Sequence, residues 1–243
     1  MGIQMRQLGK ILEINNWRDT ERATENSDHQ TPSISVKTSE DHSTGCFSDL
    51  NGWIKLLPEE YKDICFDTLT ELKPKIIEVG KAWAESKPLK SLYIHGDWGS
   101  GKTSFAFAAL RYLKGLKTIP HHFWPRYFTG DELDRRLLRA FKHEDGDENE
   151  IKEISNQDLL FIDDLDKVTA TERFKNQIFG IINRRKINNL PTIITCNLHP
   201  TELPAILDGS VVSRICDESR WNILTFPKGD LRSRKLNKKG IQF

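Results

Sequence analysis

Residues 95–103 read His-Gly-Asp-Trp-Gly-Ser-Gly-Lys-Thr, and Gly96-x-x-x-x-Gly101-Lys102-Thr103 has the spacing of a phosphate-binding loop. This run constrains the fold more than any other, because it works only between a strand and a helix. Its glycines let backbone N–H groups turn inward while the helix aims its positive end at the same point. Both flanks are present: Ser91 to His95 is a short apolar run, and Thr103 to Lys114 reads as a buried, alanine-rich helix. The chain is therefore expected to bind ATP or GTP. Gly96, Asp97, Trp98, Gly99, Ser100 and Gly101 would form the cradle, with Ser104 in the first helical turn. Lys102 would reach the outer phosphates and Thr103 would ligate Mg2+.

A length of 243 residues and a formal net charge of +1 suit one globular domain plus an extension. No apolar run approaches a membrane span, and Met1 to Trp17 lacks the uninterrupted apolar stretch of a signal peptide, so a cytoplasmic protein is expected. Cys46, Cys65, Cys196 and Cys216 form no C-x-x-C pair; neither a zinc site nor a disulfide framework is indicated. Cys65 and Cys196 sit in apolar runs that read as buried, and His121 and His122 read as loop residues. The near-neutral balance argues against coating nucleic acid by bulk charge and leaves local patches as the place to look.

Two regions are expected, an N-terminal extension over 1–52 and a nucleotide-binding domain over 53–243. Met1 to Trp17 carries Ile3, Leu8, Ile11, Leu12, Ile14 and Trp17 at helical spacing, before a polar tether to about Ser48. Such a helix either docks in a partner's groove or folds back on its own domain. The pattern from Pro58 to Lys87 is helical with a new start at Pro74. Strands are expected at Phe123–Phe128, Leu159–Ile162, Thr192–Thr195 and Trp221–Phe226. Helices are expected at Gly130–His143 and Thr171–Ile187, with short ones at Pro200–Leu207 and Ser210–Cys216. The acidic run Glu144 to Glu150 reads as a solvated loop. This alternation predicts an α/β fold, a mostly parallel sheet with helices on both faces.

Downstream, Leu159-Leu160-Phe161-Ile162-Asp163-Asp164 is an apolar strand delivering two carboxylates at its C-terminal end, where ligands of open α/β sheets collect. After a phosphate loop this reads as a Walker B pair. Asp163 would hold Mg2+ and Asp164 would polarise the attacking water. The following strand, Thr192 to Thr195, ends in Cys196-Asn197.

Together these segments resemble the Walker A, Walker B and sensor 1 motifs of an AAA+ ATPase. The resemblance assigns Asn197 the task of orienting water against the terminal phosphate. Gly209-Ser210-Val211-Val212-Ser213-Arg214-Ile215 resembles the segment carrying the arginine finger, which implies self-association, with Arg214 completing a neighbour's site. Within AAA+ proteins the chain from about Leu89 onward is similar to bacterial replicative helicase loaders of the DnaC type, IstB-like relatives included. Tyr127-Phe128-Thr129-Gly130-Asp131-Glu132-Leu133, the helix bearing Asn183-Arg184-Arg185, and an end soon after Gly229-Asp230-Leu231-Arg232-Ser233-Arg234 carry that similarity. It implies no C-terminal helical lid, a replicative helicase and single-stranded DNA as partners, and Arg232 as a sensor 2 arginine. Arg234 fits that role equally, and both fit a basic tail. The second Walker B acid is Asp164 where AAA+ proteins usually carry Glu, which implies slow hydrolysis and a switch more than a motor. An IstB-like transposition helper, or an adaptor that holds ATP without hydrolysing it, are the alternatives.

Arg135, Arg139 and Lys142 are spaced to share one helix face, with Arg126 and Arg136 nearby. Either they contact DNA phosphates, with Tyr127, Phe128 or Phe141 stacking on bases, or they form a solvated face paired with Asp131, Glu132 and Asp134. Arg184, Arg185 and Lys186 make a second basic patch.

Overall fold

The computed structural model describes residues 57–116, 119–120, 123–142, 146–227 and 229. The expectations for Met1 to Trp17, the tether, His121, His122, Arg232 and Arg234 lie outside the described residues. The described residues form α-helices and strands in the order α1 (Pro74–Glu85), β1 (Ser91–His95), α2 (Lys102–Gly115), β2 (Pro125–Thr129), α3 (Gly130–Phe141), α4 (Gly146–Ser155), β3 (Leu159–Asp163), α5 (Glu172–Ile187), β4 (Thr192–Cys196), α6 (Gly209–Ile215) and β5 (Trp221–Thr225). All strand pairings are parallel, in the order β2-β3-β4-β1-β5.

The central strands are buried on both faces, which is why they appear as unbroken apolar runs. Their side chains still alternate. Leu92, Ile94, Leu159, Phe161 and Ile193 pack with α1 and α2, while Tyr93, Leu160, Ile162 and Ile194 pack with α3, α4, α5 and α6. Helix starts follow local chemistry: the Thr129 hydroxyl accepts from the Glu132 amide at 3.2 Å, the Thr171 hydroxyl from Phe174 at 3.2 Å, and the Asp208 carboxylate from Ser210 at 2.7 Å. No side chain caps α2, the helix that follows the phosphate loop.

Three expectations are corrected. Residues 58–73 form two separate 3-10 turns, Glu59–Tyr61 and Phe66–Thr68, not a helix. Cys65 is extended, and the Thr68 hydroxyl accepts from its amide at 3.1 Å and donates to its carbonyl at 2.9 Å, closing a turn where a helix would continue. From Gly146 onward the acidic run is helix rather than loop, the start of α4. Its acids serve as partners for arginines: Glu150 and Glu153 pair with Arg136, the latter at 2.8 Å, and Glu148 pairs with Arg184 at 3.1 Å. Asp147 and Glu148 also sit in the first turn, where the helix dipole favours negative charge. The short helix expected at Pro200–Leu207 is a 3-10 turn over Leu203–Ala205.

Candidate functional site

Strand order places the site. Because β4 lies between β1 and β3, the C-terminal ends of these three strands stand side by side, bringing the phosphate loop, Asn197 and the Asp163-Asp164 pair together. Gly96, Gly99 and Gly101 have φ of 145°, 70° and 93°, values that disfavour any other residue. At Gly96 a Cβ would also meet Phe226 atoms 2.9 Å away.

Lys102 is buried, and its ammonium donates to Gly96 O at 2.9 Å, Asp97 O at 2.9 Å and Asn197 Oδ1 at 2.8 Å. Burial pushes its pKa down, against the pull of the Asp164, Asp166 and Asp163 carboxylates. Asp163 Oδ1 accepts from the Thr103 hydroxyl at 2.9 Å and from the Thr195 hydroxyl, and the Tyr127 hydroxyl donates to Oδ2 at 3.4 Å. Burial pushes Asp163 up to about 6; the Thr195 hydrogen bond opposes this and the neighbouring Asp164 charge adds to it. Asp164 has φ 52°, its amide donates to Thr195 Oγ1 at 2.9 Å, and its carboxylate pairs with Lys167. His95, at the strand end before the loop, is buried with Nε2 2.9 Å from Thr225 Oγ1. Burial, with His199 and Lys102 close by, lowers its pKa to about 4.

A cavity of about 370 Å³ opens on these groups, bounded by Trp98, Gly99, Gly101, Lys102, Thr103, Ser104, Asp164, Lys167 and Asn197. Its apolar wall comes from the twin-turn segment, through Tyr61, Ile64, Leu69 and Leu72. Size and lining suit a nucleotide, since the cavity combines cationic and N–H donors with apolar side chains. Buried Ser100 Oγ has no hydrogen-bond partner among the described residues, as a donor awaiting a phosphate oxygen would. Thr103 Oγ1 and Asp163 Oδ1 are the hard oxygen donors that a magnesium ion takes, and a raised carboxylate pKa is what a nearby cation would reverse.

Of the residues expected at the site, Gly99, Gly101, Lys102, Thr103, Ser104, Trp98, Asp164 and Asn197 line one cavity, with Gly96, Asp97 and Asp163 bonded to them. Arg214 is elsewhere. Its guanidinium donates to Asn183 Oδ1 at 3.1 and 2.9 Å and to Ser210 O at 2.7 Å, and lies 4.7 Å from the Phe179 ring centre. Thr195, Asp166, Lys167 and the apolar wall are additions. Thr195 was open to notice as a polar residue in a buried strand, whereas Asp166 becomes visible only through its contact with Asn197.

The basic patches are partly corrected. Arg185 is buried, so it belongs to no surface patch, and its neighbours Arg184 and Lys186 pair with Glu148 and Asp217. Phe128 is buried and cannot stack on a base, while Tyr127 is half-buried and packs against Phe107 and Phe161. Arg135, Arg139, Phe141 and Lys142 are exposed, with Arg135 paired to Asp131. Cys65 is half-buried; Cys196 is fully buried, as expected.

A family model described as the bacterial DnaA ATPase domain matches residues 76–217, more than half of the chain. The chromosomal replication initiator protein DnaA of Neisseria meningitidis serogroup C is 27% identical over 184 residues, covering 73% of this chain. The chain spans about a third of the length of the curated relatives it matches, 34% in that case. Among solved structures, a DnaC helicase loader aligns at 24% identity and TM-score 0.60, over 70% of this chain and 100% of that one. A replication initiator DnaA bound to AMPPCP and single-stranded DNA aligns at 21% identity and TM-score 0.58, over 77% of this chain and 57% of that one. At these identities the structural likeness is one of fold, a P-loop α/β sheet of the AAA+ type.

Proposed function

The chain belongs to the bacterial DnaA ATPase domain family, and from that premise we propose that it is an ATP-binding AAA+ protein of DNA replication, a helicase loader that hydrolyses ATP slowly as a switch. One observation carries the nucleotide reading: Lys102 meets Asn197 at 2.8 Å where three strand ends converge on one cavity. The phosphates take the Lys102 ammonium and the first amides of α2, and the base lies against Tyr61, Ile64, Leu69 and Leu72. Thr103 and Asp163 would hold magnesium, which would supply compensation of the phosphate charge. Asp164 and Asn197 position water at the terminal phosphorus. The water oxygen bonds to phosphorus as the bridging bond breaks, ADP leaves with that electron pair, and the water's proton passes to Asp164 or on to solvent. Asp164 must first leave Lys167, and this pairing favours slow turnover.

In this reading 53–243 is the ATPase domain and 1–52 an extension that docks a partner, Arg214 reaches the site of a second copy, and Arg232 contacts phosphate. Arg135, Arg139 and Lys142 meet single-stranded DNA with Phe141. Family membership supports an ATPase of DNA replication, and the loader assignment within it draws on a fold likeness that spans a whole DnaC loader chain. A cytoplasmic location follows from that role; no described helix is long and apolar enough to cross a membrane. The Lys167–Asp164 pair also favours a second reading, an adaptor that holds ATP unhydrolysed.

Affinity capture from a bacterial lysate in MgATP, with the intact chain and one lacking residues 1–17, tests the assignment. A replicative helicase is expected with the intact chain and not with the truncated one. Recovery of a transposase would instead establish a transposition helper of the IstB type, and recovery of neither would overturn the loader role.

A further inference from the structure

Asp166 lies in the 3-10 turn Leu165–Lys167, two residues beyond the second Walker B acid. Its Oδ1 accepts from the Asn197 backbone amide at 2.9 Å and its Oδ2 from the Asn197 side-chain Nδ2 at 2.7 Å. On the other side, Asn197 Oδ1 accepts from the Lys102 ammonium at 2.8 Å. A carboxylate only accepts and an ammonium only donates, so the carboxamide fits this array one way round; flipped, it would set donor against donor and acceptor against acceptor. Burial works against the charge on Asp166, but hydrogen bonds, those from Asn197 foremost, lower its pKa on balance.

We propose that Asp166 is a positioning residue that fixes the carboxamide of Asn197 so that its carbonyl oxygen, an acceptor, faces the nucleotide cavity. The inference rests on the ATPase reading above. Lys102 shares its three hydrogen bonds among Gly96 O, Asp97 O and Asn197 Oδ1, and entering phosphates compete for all of them. Once Lys102 turns to phosphate, Asn197 keeps its N–H on Asp166 and is left with a free oxygen directed at the cavity. A phosphate oxygen has no use for a second acceptor, whereas a water does. Asn197 is thereby set to hold the attacking water by one hydrogen, with Asp164 available to the other. It is not set to grip the terminal phosphate.

MgATP affinity, single-turnover hydrolysis and melting temperature are measured on the full chain as wild type, Asp166→Asn, Asn197→Ala and the double variant. Asp166→Asn puts a donor opposite the amide N–H groups and favours the flip. It should leave affinity within about twofold and slow hydrolysis about 10²-fold, the cost of a misplaced reactant. The double variant should be no slower than Asn197→Ala, because both changes act through one amide. Asp166→Ala, which removes the acceptor without adding a donor, serves if Asp166→Asn melts well below wild type. Wild-type rates in both Asp166 variants, an equal loss of affinity and rate, or effects that multiply in the double variant would overturn the role of Asp166 and leave the ATPase reading standing. A wild type that binds MgATP without hydrolysing it would overturn the water-holding role alone. A wild type that does not bind MgATP would overturn the ATPase reading and this inference with it.

Discussion

Lys102→Ala is expected to weaken MgATP binding by about 10²-fold or more and to bring hydrolysis to background. The ammonium is nearly fully buried and its three hydrogen bonds all run to the rim of the cavity, two to loop carbonyls and one to Asn197. Charge-assisted hydrogen bonds contribute about 1.5–3 kcal/mol each, so the loss of two to phosphate corresponds to roughly 10²–10⁴ in affinity. Lys102→Arg should not restore binding, because a planar guanidinium cannot occupy a pocket shaped for a compact ammonium. Fluorescence titration follows the change: Trp98, 71% exposed, lines the cavity and reports on what enters it. Retained affinity in a folded Lys102→Ala protein would remove the phosphate loop from the binding site.

Arg185→Ala is expected to destabilise the fold by about 3–5 kcal/mol, the cost of leaving several buried polar groups without their donor and of the cavity that opens. Arg185 is 1% exposed and ties α5 to the start of the sheet. It donates to Thr192 Oγ1 at 2.9 Å, to the carbonyls of Ser155 at 3.0 Å and Gln157 at 2.7 Å, and to that of Pro191 at 2.5 Å. Alanine leaves these three carbonyls without the donor they face and opens a cavity beside Thr192. At about 2–4 °C per kcal/mol for a domain of this size, melting should fall by roughly 10 °C. Lysine should recover little, since one ammonium cannot reach acceptors spread around a fork. Urea unfolding measures the difference, and a loss below about 1 kcal/mol would show that water replaces the guanidinium at no cost.

What was legible along the chain is what neighbouring residues decide. The phosphate loop, the Asp163-Asp164 pair and Asn197 each follow an apolar strand, and a parallel sheet gathers such strand ends on one edge. The strands themselves were readable because burial on both faces removes polar residues. Partners distant in sequence were not readable. Asp166 reads as one more acid after Asp163 and Asp164 until it meets Asn197, 31 residues on. Glu148 and Glu150 read as loop because their arginines, Arg184 and Arg136, are in other helices. Arg185 reads as surface charge because three of its partners are carbonyls, which leave no trace in side-chain patterns. The 58–73 segment has helical apolar spacing, but a local hydroxyl bond at Thr68 closes the chain into turns, and those apolar side chains become a cavity wall.

Calorimetric titration of the wild-type chain with ATP, with and without magnesium, tests the central claim that the cavity between the phosphate loop, Asp163, Asp164 and Asn197 is a MgATP site. One saturable site per chain is expected, weakened when magnesium is chelated and displaced by ADP. No heat of binding at any ATP concentration up to the millimolar range, or binding indifferent to ADP, would contradict it.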